Sequence, residues 1–181
     1  MRLPRRTVVL VALIAVAGLL SPAAAFDETR DPWIRGTFTG HSPRAPRLPE
    51  SAAWSEAVRL VDRTPGAFIL VGTGRSMEPL YPAGTLLVLR ETDYAGLRSG
   101  QTVVYRNSSS RAVGHVLVAK ARDGWRVKGL NNASHDREPV LAGNLIGVVV
   151  AAFQPVADRS QPVARSRRPS GRAVFLSDRG R

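Results

Sequence analysis

The 181-residue chain contains no cysteine, so disulfide bonds are excluded and the core must be held by packing alone. Long apolar runs are also scarce. The longest, TVVLVALIAVAGLL near the N-terminus, has about 14 residues, whereas a helix that spans a bilayer needs roughly 20. Aromatic residues make up only 6% of the chain, and the basic C-terminal segment has no aromatic run interleaved with its arginines for base stacking. We therefore expect no nucleic acid partner.

The first 25 residues have the three parts of a secretory signal. MRLPRR is positively charged, the apolar run follows, and AAA ending at Ala25 supplies the small residues of a cleavage site. We expect residues 1–25 to be removed, so that the mature chain begins at Phe26 in the periplasm, outside the cell or on the outer face of the membrane. Retention of the segment as an anchor is the alternative.

The C-terminal segment 154–181 is strongly basic. The chain carries a formal charge of +12, and this segment has seven arginines against Asp158 and Asp178. It mixes proline, serine and arginine without an apolar period, which predicts disorder. An anionic membrane surface or an envelope polyanion would suit its charge. A solvated tail without a partner is the alternative.

Between these ends the sequence predicts one mainly β domain. Four prolines in residues 26–49 favour an extended arm over the surface. ESAAWSEAVRLVDR predicts the one helix of the chain, with Trp54, Ala57, Val58 and Val61 on its apolar face. From Ala67 the chain consists of short β-rich runs separated by turn residues, which favours a compact antiparallel domain over residues 50–153.

The stretch GTGRSMEPLYPAG surrounds Ser76 with glycines and prolines. Gly72 and Gly74 permit backbone angles closed to other residues, and Pro79 and Pro82 stiffen the exit. Such a turn can present a hydroxyl and aim nearby N–H groups at one point, as an oxyanion site requires. An ordinary hairpin loop with a polar tip is the alternative.

A serine nucleophile needs a base within hydrogen-bond reach, and few candidates exist. His41 lies in the proline-rich arm and His135 in a polar loop, so His115, in RAVGHVLVAK, is the histidine within a predicted strand. Lys120, at the end of that strand, is the second candidate for the base. Asp136, in NNASHDR, is a loop carboxylate that could orient an imidazole.

In combination these segments resemble a family. GRSMEPLYPAGTLLVL is similar to the Ser-Met-x-Pro box of signal peptidase I and its relatives, which include the self-cleaving SOS repressor domains. PAGTLLVLR and LRSGQTVVYR resemble the two Gly-Asp-plus-strand segments that follow. VGHVLVAKARDGWRVKGLNNASHD resembles the His-Arg-Val strand and Lys-Gly-Asp-Asn-Asn box of the archaeal and endoplasmic-reticulum type. The resemblance runs from about Phe68 to Phe153 and implies the antiparallel β domain of signal peptidases and SOS repressor C-terminal regions.

The resemblance also implies roles for the site residues. Ser76 matches the nucleophile, His115 the histidine base and Asp136 its acidic partner. If the alignment with the family is shifted by one residue, Gly114 takes the place of the histidine. His115 would then face the other side of the sheet, because neighbouring residues of a strand face opposite sides. Lys120 would then be the base of a Ser-Lys arrangement. No metal or cofactor is expected.

The serine box further implies oxyanion or substrate-binding roles for its neighbours, and some positions depart from the family pattern. The neighbours are Gly74, Arg75, Met77 and Pro79. Many members have a serine at the position of Gly74, and its loss removes a donor that can be worth roughly a hundredfold in rate. Thr85, Gln101 and Leu130 stand where aspartate is usual.

The sequence as a whole predicts an exported serine endopeptidase that cleaves an extended peptide or preprotein segment bound by β-strand addition, as the resemblance implies. Small apolar pockets would favour alanine-like residues near the scissile bond. The alternative is a catalytically silent β domain of the same fold that binds peptides or an envelope polymer. The departures from the family pattern favour this alternative.

Overall fold

The computed structural model describes residues 31–157 and 173–175, so the predicted leader and most of the predicted basic tail lie outside the described residues. Within this part of the chain, no helix is long and apolar enough to cross a membrane. The strands are β1 (Trp33–Ile34), β2 (Thr37–Phe38), β3 (Arg47–Pro49), β4 (Ala67–Val71), β5 (Leu86–Arg90), β6 (Thr102–Arg106), β7 (Ala112–Ala121), β8 (Gly124–Lys128), β9 (Leu145–Val156) and β10 (Ala173–Phe175).

The helix α1 spans Glu50–Arg63, as the sequence predicted. Ala53 and Ala57 are fully buried and pack with Leu60 and Val61 against the sheet, which gives the 3.6-residue period its inward face. Val58 was predicted to lie on this face but is 39% exposed, because one residue further along a helix turns the side chain by roughly 100°.

The prediction of a mainly β domain with one helix is confirmed. The principal sheet has the strand order β10-β4-β5-β9-β6-β7-β8, with β3 added along β9. Its pairs are antiparallel except β10 with β4 and β3 with β9. Hairpins and short connections dominate, so neighbours in sequence are mostly neighbours in the sheet. Strand β9 runs to Val156, three residues past the predicted domain boundary.

Residues 31–49 pack against the sheet near the start of β6 and the end of β9. β1 and β2 form a two-stranded hairpin, and β3 pairs with the end of β9. Ser42 donates a hydrogen bond to the carbonyl of Gly100 at 2.7 Å, and Tyr81 donates one to the carbonyl of Pro43 at 2.6 Å. These contacts hold the proline-rich segment against the domain.

The core is divided by the sheet. Strand alternation turns Val104 and Val116 into the largest buried cluster, which also contains Met77 beside the serine turn. The two neighbours of Val104 in β6, Val103 and Tyr105, point to a second cluster on the other face. Met77, packed in the first cluster, thereby holds the serine turn against the sheet.

Candidate active site

Ser76 and His115 lie within hydrogen-bond distance of each other. The distance from Ser76 Oγ to His115 Nε2 is 3.0 Å, although 39 residues separate them in the chain. On the other side of the ring, His115 Nδ1 lies 2.5 Å from Asp136 Oδ2. The three side chains thus form a hydroxyl, imidazole and carboxylate series, which is the geometry needed to activate a serine.

The sheet and its loops position each member of this series. Val103 in β6 pairs with His115 in β7, so the imidazole side is fixed by a buried antiparallel pair. Asp136 is held by its backbone N–H, which donates to the carbonyl of Val127 at 2.9 Å. Ser76 is tied to the loop of Asp136, because Asn131 N–H donates to the Ser76 carbonyl at 2.7 Å.

Burial distinguishes the two ends of the series. The side chains of His115 and Asp136 are only 7% and 15% exposed, so their contact is shielded from water. Ser76 is intermediate in exposure and opens onto a cleft of about 450 Å³. The Ser76 hydroxyl is therefore accessible to a ligand in the cleft, whereas His115 is buried.

The cleft is lined by two stretches of backbone and by apolar side chains. Its walls include Gly72, Thr73 and Gly74 after β4, and Ala112, Val113 and Gly114 at the start of β7. Met77, Tyr81 and Leu87 line its apolar part, while Arg111, Arg137 and Glu138 also contribute to its lining. The site therefore combines apolar surface with a few polar groups, as peptide and ligand sites commonly do.

The other sequence candidates lie in different places. Lys120 is exposed, and its Nζ lies 5.8 Å from the ring centre of Tyr94 rather than among the residues lining the cleft. His41 is exposed, with Nδ1 2.8 Å from the carbonyl oxygen of Ser99. The structure brings neither to the serine.

The neighbours of Ser76 are also divided. Gly74 and Met77 line the cleft. Arg75 is exposed and pairs with Glu78, with Nε 3.2 Å from Oε1. Pro79 is exposed and follows Glu78 in a cis peptide bond, outside the cleft lining.

Two further groups belong to the site but were not identified from the sequence. Tyr105 donates a hydrogen bond of 2.5 Å to the same oxygen of Asp136 that faces His115. Asn132 lines the cleft, and Gly129 lies against both its amide and the His115 ring. The Asn-Asn pair was a visible signal, whereas Tyr105 stood in QTVVYR as one more apolar strand residue.

The phenol of Tyr105 is itself unusual. Burial, together with its hydrogen bond to Asp136 and the negative charge there, raises the pKa of Tyr105 above its ordinary value. It therefore remains a neutral donor toward the carboxylate. No group of three or more histidine, aspartate or glutamate side chains suited to a metal ion occurs among residues 31–157.

Known proteins with a similar sequence bear on this arrangement. A family model described as Peptidase S24-like matches residues 39–150, which include the serine turn, β7 and the loop of Asp136. At the level of the family, this places the chain among serine peptidases.

The chain therefore belongs to the Peptidase S24-like family. Signal peptidase I W of Bacillus subtilis (strain 168) is 33% identical over 75 residues, which cover 39% of this chain and 40% of that protein. The chain thus spans about two fifths of the length of this curated relative. The predicted relationship to signal peptidase I is confirmed.

Proposed function

We propose that the protein is an exported serine endopeptidase in which Ser76 attacks a peptide carbonyl with His115 as the general base. The observation that carries this proposal is the series formed by Ser76 Oγ, the two ring nitrogens of His115 and the carboxylate of Asp136, with distances of 3.0 and 2.5 Å. A serine hydroxyl is a weak nucleophile by itself, and this geometry supplies the base that it needs.

Each residue has a defined part in the reaction. His115 Nε2 accepts the proton of Ser76 as Oγ bonds to the carbonyl carbon, and returns it to the leaving amine. Asp136 accepts a hydrogen bond from Nδ1–H, which leaves Nε2 free as the acceptor and stabilises the imidazolium that forms. Water then hydrolyses the acyl-enzyme by the same proton path.

The cleft supports binding of the substrate as an added strand. Residues Ala112–Gly114 pair with β6 on one side, while β8 pairs with β7 only from Val116 onward. Among the described residues, no strand pairs with the other edge of Ala112–Gly114, and these residues line the cleft. An extended peptide could therefore pair with this edge and pass Ser76, with backbone hydrogen bonds giving affinity.

The departures from the family pattern fall mostly outside the cleft. Thr85 is fully buried, and its Oγ1 lies 2.5 Å from Pro82 O and 2.6 Å from Gln154 Oε1. Gln101 accepts a hydrogen bond from the backbone of Arg98. Such contacts hold turns and strand ends together. These departures therefore do not argue against catalysis.

Leu130 is likewise a core residue, with only 1% of its surface exposed. It packs in the largest cluster and does not line the cleft. Gly74 differs, because it lines the cleft beside Ser76 and has no hydroxyl to offer an oxyanion. This departure is the one that favours slow turnover, with backbone N–H groups as the donors.

The discriminating experiment uses extended peptides that contain Ala-x-Ala sites. We expect the purified protein to cleave a subset of them and Ser76→Ala to cleave none, because the substitution removes the nucleophile and preserves the cleft. Cleavage that persists in Ser76→Ala would contradict the proposal. Binding without cleavage by both forms would instead support the second candidate, a silent peptide-binding domain, which the missing hydroxyl at Gly74 favours.

The proposal includes export, which depends on the sequence of residues 1–25. Mass spectrometry of the protein isolated from cells should find the mature N-terminus near Phe26. An N-terminus at Met1 or Arg2 would contradict cleavage and favour a retained anchor.

Binding of the basic segment 154–181 to an anionic membrane surface is tested separately, by sedimentation of the protein with anionic and neutral vesicles.

A further inference from the structure

A single oxygen of Asp136 receives two side-chain donors. Tyr105 O–H donates to Oδ2 at 2.5 Å, and His115 Nδ1 lies 2.5 Å from the same atom. Within residues 31–157 these are the side chains that contact the carboxylate through hydrogen bonds. The tyrosine therefore acts on the oxygen that faces the imidazole.

The pairing of β6 with β7 fixes the positions of Tyr105 and His115 relative to each other. Val103 pairs with His115, and Tyr105 pairs with Val113, so the phenol and the imidazole are diagonal neighbours on one face of β6 and β7. Tyr105 is only 2% exposed, and its ring packs in the second core cluster. Its hydroxyl therefore has little freedom to move away from the carboxylate.

Without Tyr105, the side chain of Asp136 could rotate about its own bonds. Asp136 belongs to the loop after β8, and the backbone bond to Val127 holds its main chain but leaves the side-chain torsion free. The hydroxyl of Tyr105 selects one oxygen and one orientation. It also shares the lone pairs of that oxygen, which lowers its attraction for the proton on His115 Nδ1.

We propose that Tyr105 is a positioning residue for the serine reaction, holding Asp136 Oδ2 against His115 and keeping the Nδ1 proton on the imidazole. This inference rests on the proposed function of Ser76 and His115. Tyr105 lines the cleft, but its hydroxyl donates to Asp136 and not to Ser76, so it acts on the serine reaction through the carboxylate. A phenylalanine fills the same space without the donor, so Tyr105→Phe isolates this role.

The first measurement is steady-state kinetics with a peptide that the protein cleaves. We expect Tyr105→Phe to lower kcat roughly 10- to 100-fold with little change in KM, as for the loss of a hydrogen bond to a charged group. Tyr94→Phe is the matched control, because that phenol donates to the carbonyl of Val140 at 3.0 Å outside the cleft. An unchanged kcat in Tyr105→Phe would overturn the inference.

A double-mutant cycle separates positioning from packing. In an Asp136→Ala background the tyrosine has no carboxylate to hold, so Tyr105→Phe should have almost no further effect on kcat. Equal effects of Tyr105→Phe in both backgrounds would show that the ring acts through the fold alone and would overturn the inference.

A spectroscopic readout does not depend on activity. The Nδ1 proton of His115 should give a far-downfield resonance, and Tyr105→Phe should move it as the carboxylate oxygen loses its second donor. An unmoved resonance would overturn the inference even if the protein cleaves no peptide. Failure of the proposed function would appear separately, as equal inactivity of the natural protein and Ser76→Ala.

Discussion

Gly129 packs directly against the imidazole of His115. A methyl group on its Cα would lie 2.8 Å from Nε2 of His115 and 2.7 Å from Nδ2 of Asn132. Real Cβ atoms essentially never approach so closely, so a larger residue must displace both of these side chains. The glycine therefore leaves the space in which the ring meets Ser76.

Gly129→Ala should reduce activity far more than stability. Both crowded atoms are at the ends of side chains that can move, so we expect only a small change in Tm but a loss of at least roughly tenfold in kcat, since small displacements in an active site are costly. Gly143→Ala is the matched control, because no atom lies within 4 Å of its added methyl group. Normal activity of Gly129→Ala would show that the ring tolerates this displacement.

The identity of the base can be tested by one pair of substitutions. His115→Ala should lower kcat by about 100-fold or more, because general base catalysis typically contributes that much. Lys120→Ala should retain activity, since its amine lies over Tyr94. Peptide cleavage is measured for both, with circular dichroism to check folding. The opposite pattern would identify a Ser-Lys arrangement.

The absence of a hydroxyl at Gly74, two residues before Ser76, predicts that adding one there increases activity. Gly74→Ser should raise kcat, by up to roughly 100-fold if the new hydroxyl reaches the oxyanion. The backbone of Gly74 is not in the left-handed region, so a side chain is not strained there. Gly74→Ala provides the same bulk without a donor and should give no increase. Equal rates for the two variants would contradict an oxyanion role for this position.

Two buried tyrosines predict loss of stability in alkali. Burial raises the pKa of Tyr81 above its ordinary value, and burial beside Asp136 does the same for Tyr105. Because the unfolded phenols lose their protons near pH 10, their contribution to stability is fully present below that pH and is lost as pH rises above it.

Urea unfolding between about pH 8 and 11 measures this effect, because this range spans the pKa of about 10 that a phenol has in the unfolded chain. The free energy of unfolding should fall above about pH 10, and Tyr81→Phe should make that fall less steep. Tyr94→Phe leaves both buried phenols in place and should keep the original slope. A Tyr81→Phe protein with the same slope as the natural one would contradict the assignment.

The sequence predicted most of the fold because its signals are local. The helix of residues 50–63 and the β-rich runs after Ala67 appear in apolar spacing and turn residues alone. The exposure of Val58 was missed, because the spacing marks an apolar face but not its centre. The pairing of β3 with β9 could not be predicted from local signals either, since about 100 residues separate the partners.

The candidate site, like the fold, could be predicted in part from the sequence. Ser76, His115 and Asp136 were found through the order of segments that resemble a family, whereas the choice between Gly114 and His115 depends on strand pairing, which spacing does not define. Tyr105 was missed because a tyrosine in a buried strand looks like any other core residue. Its role is visible only when β6 and β7 are paired.

The open edge of β7 beside Ser76 also bears on whether copies of the protein associate with each other. Unpaired backbone groups invite any extended chain, including the same edge of another copy, and such edges are frequent starting points for aggregation. Here the edge spans only Ala112–Gly114, and an exposed arginine, Arg111, stands at its beginning. The shortness of this edge and the charged residue beside it therefore both disfavour pairing with a second copy, as short charged edge strands commonly do.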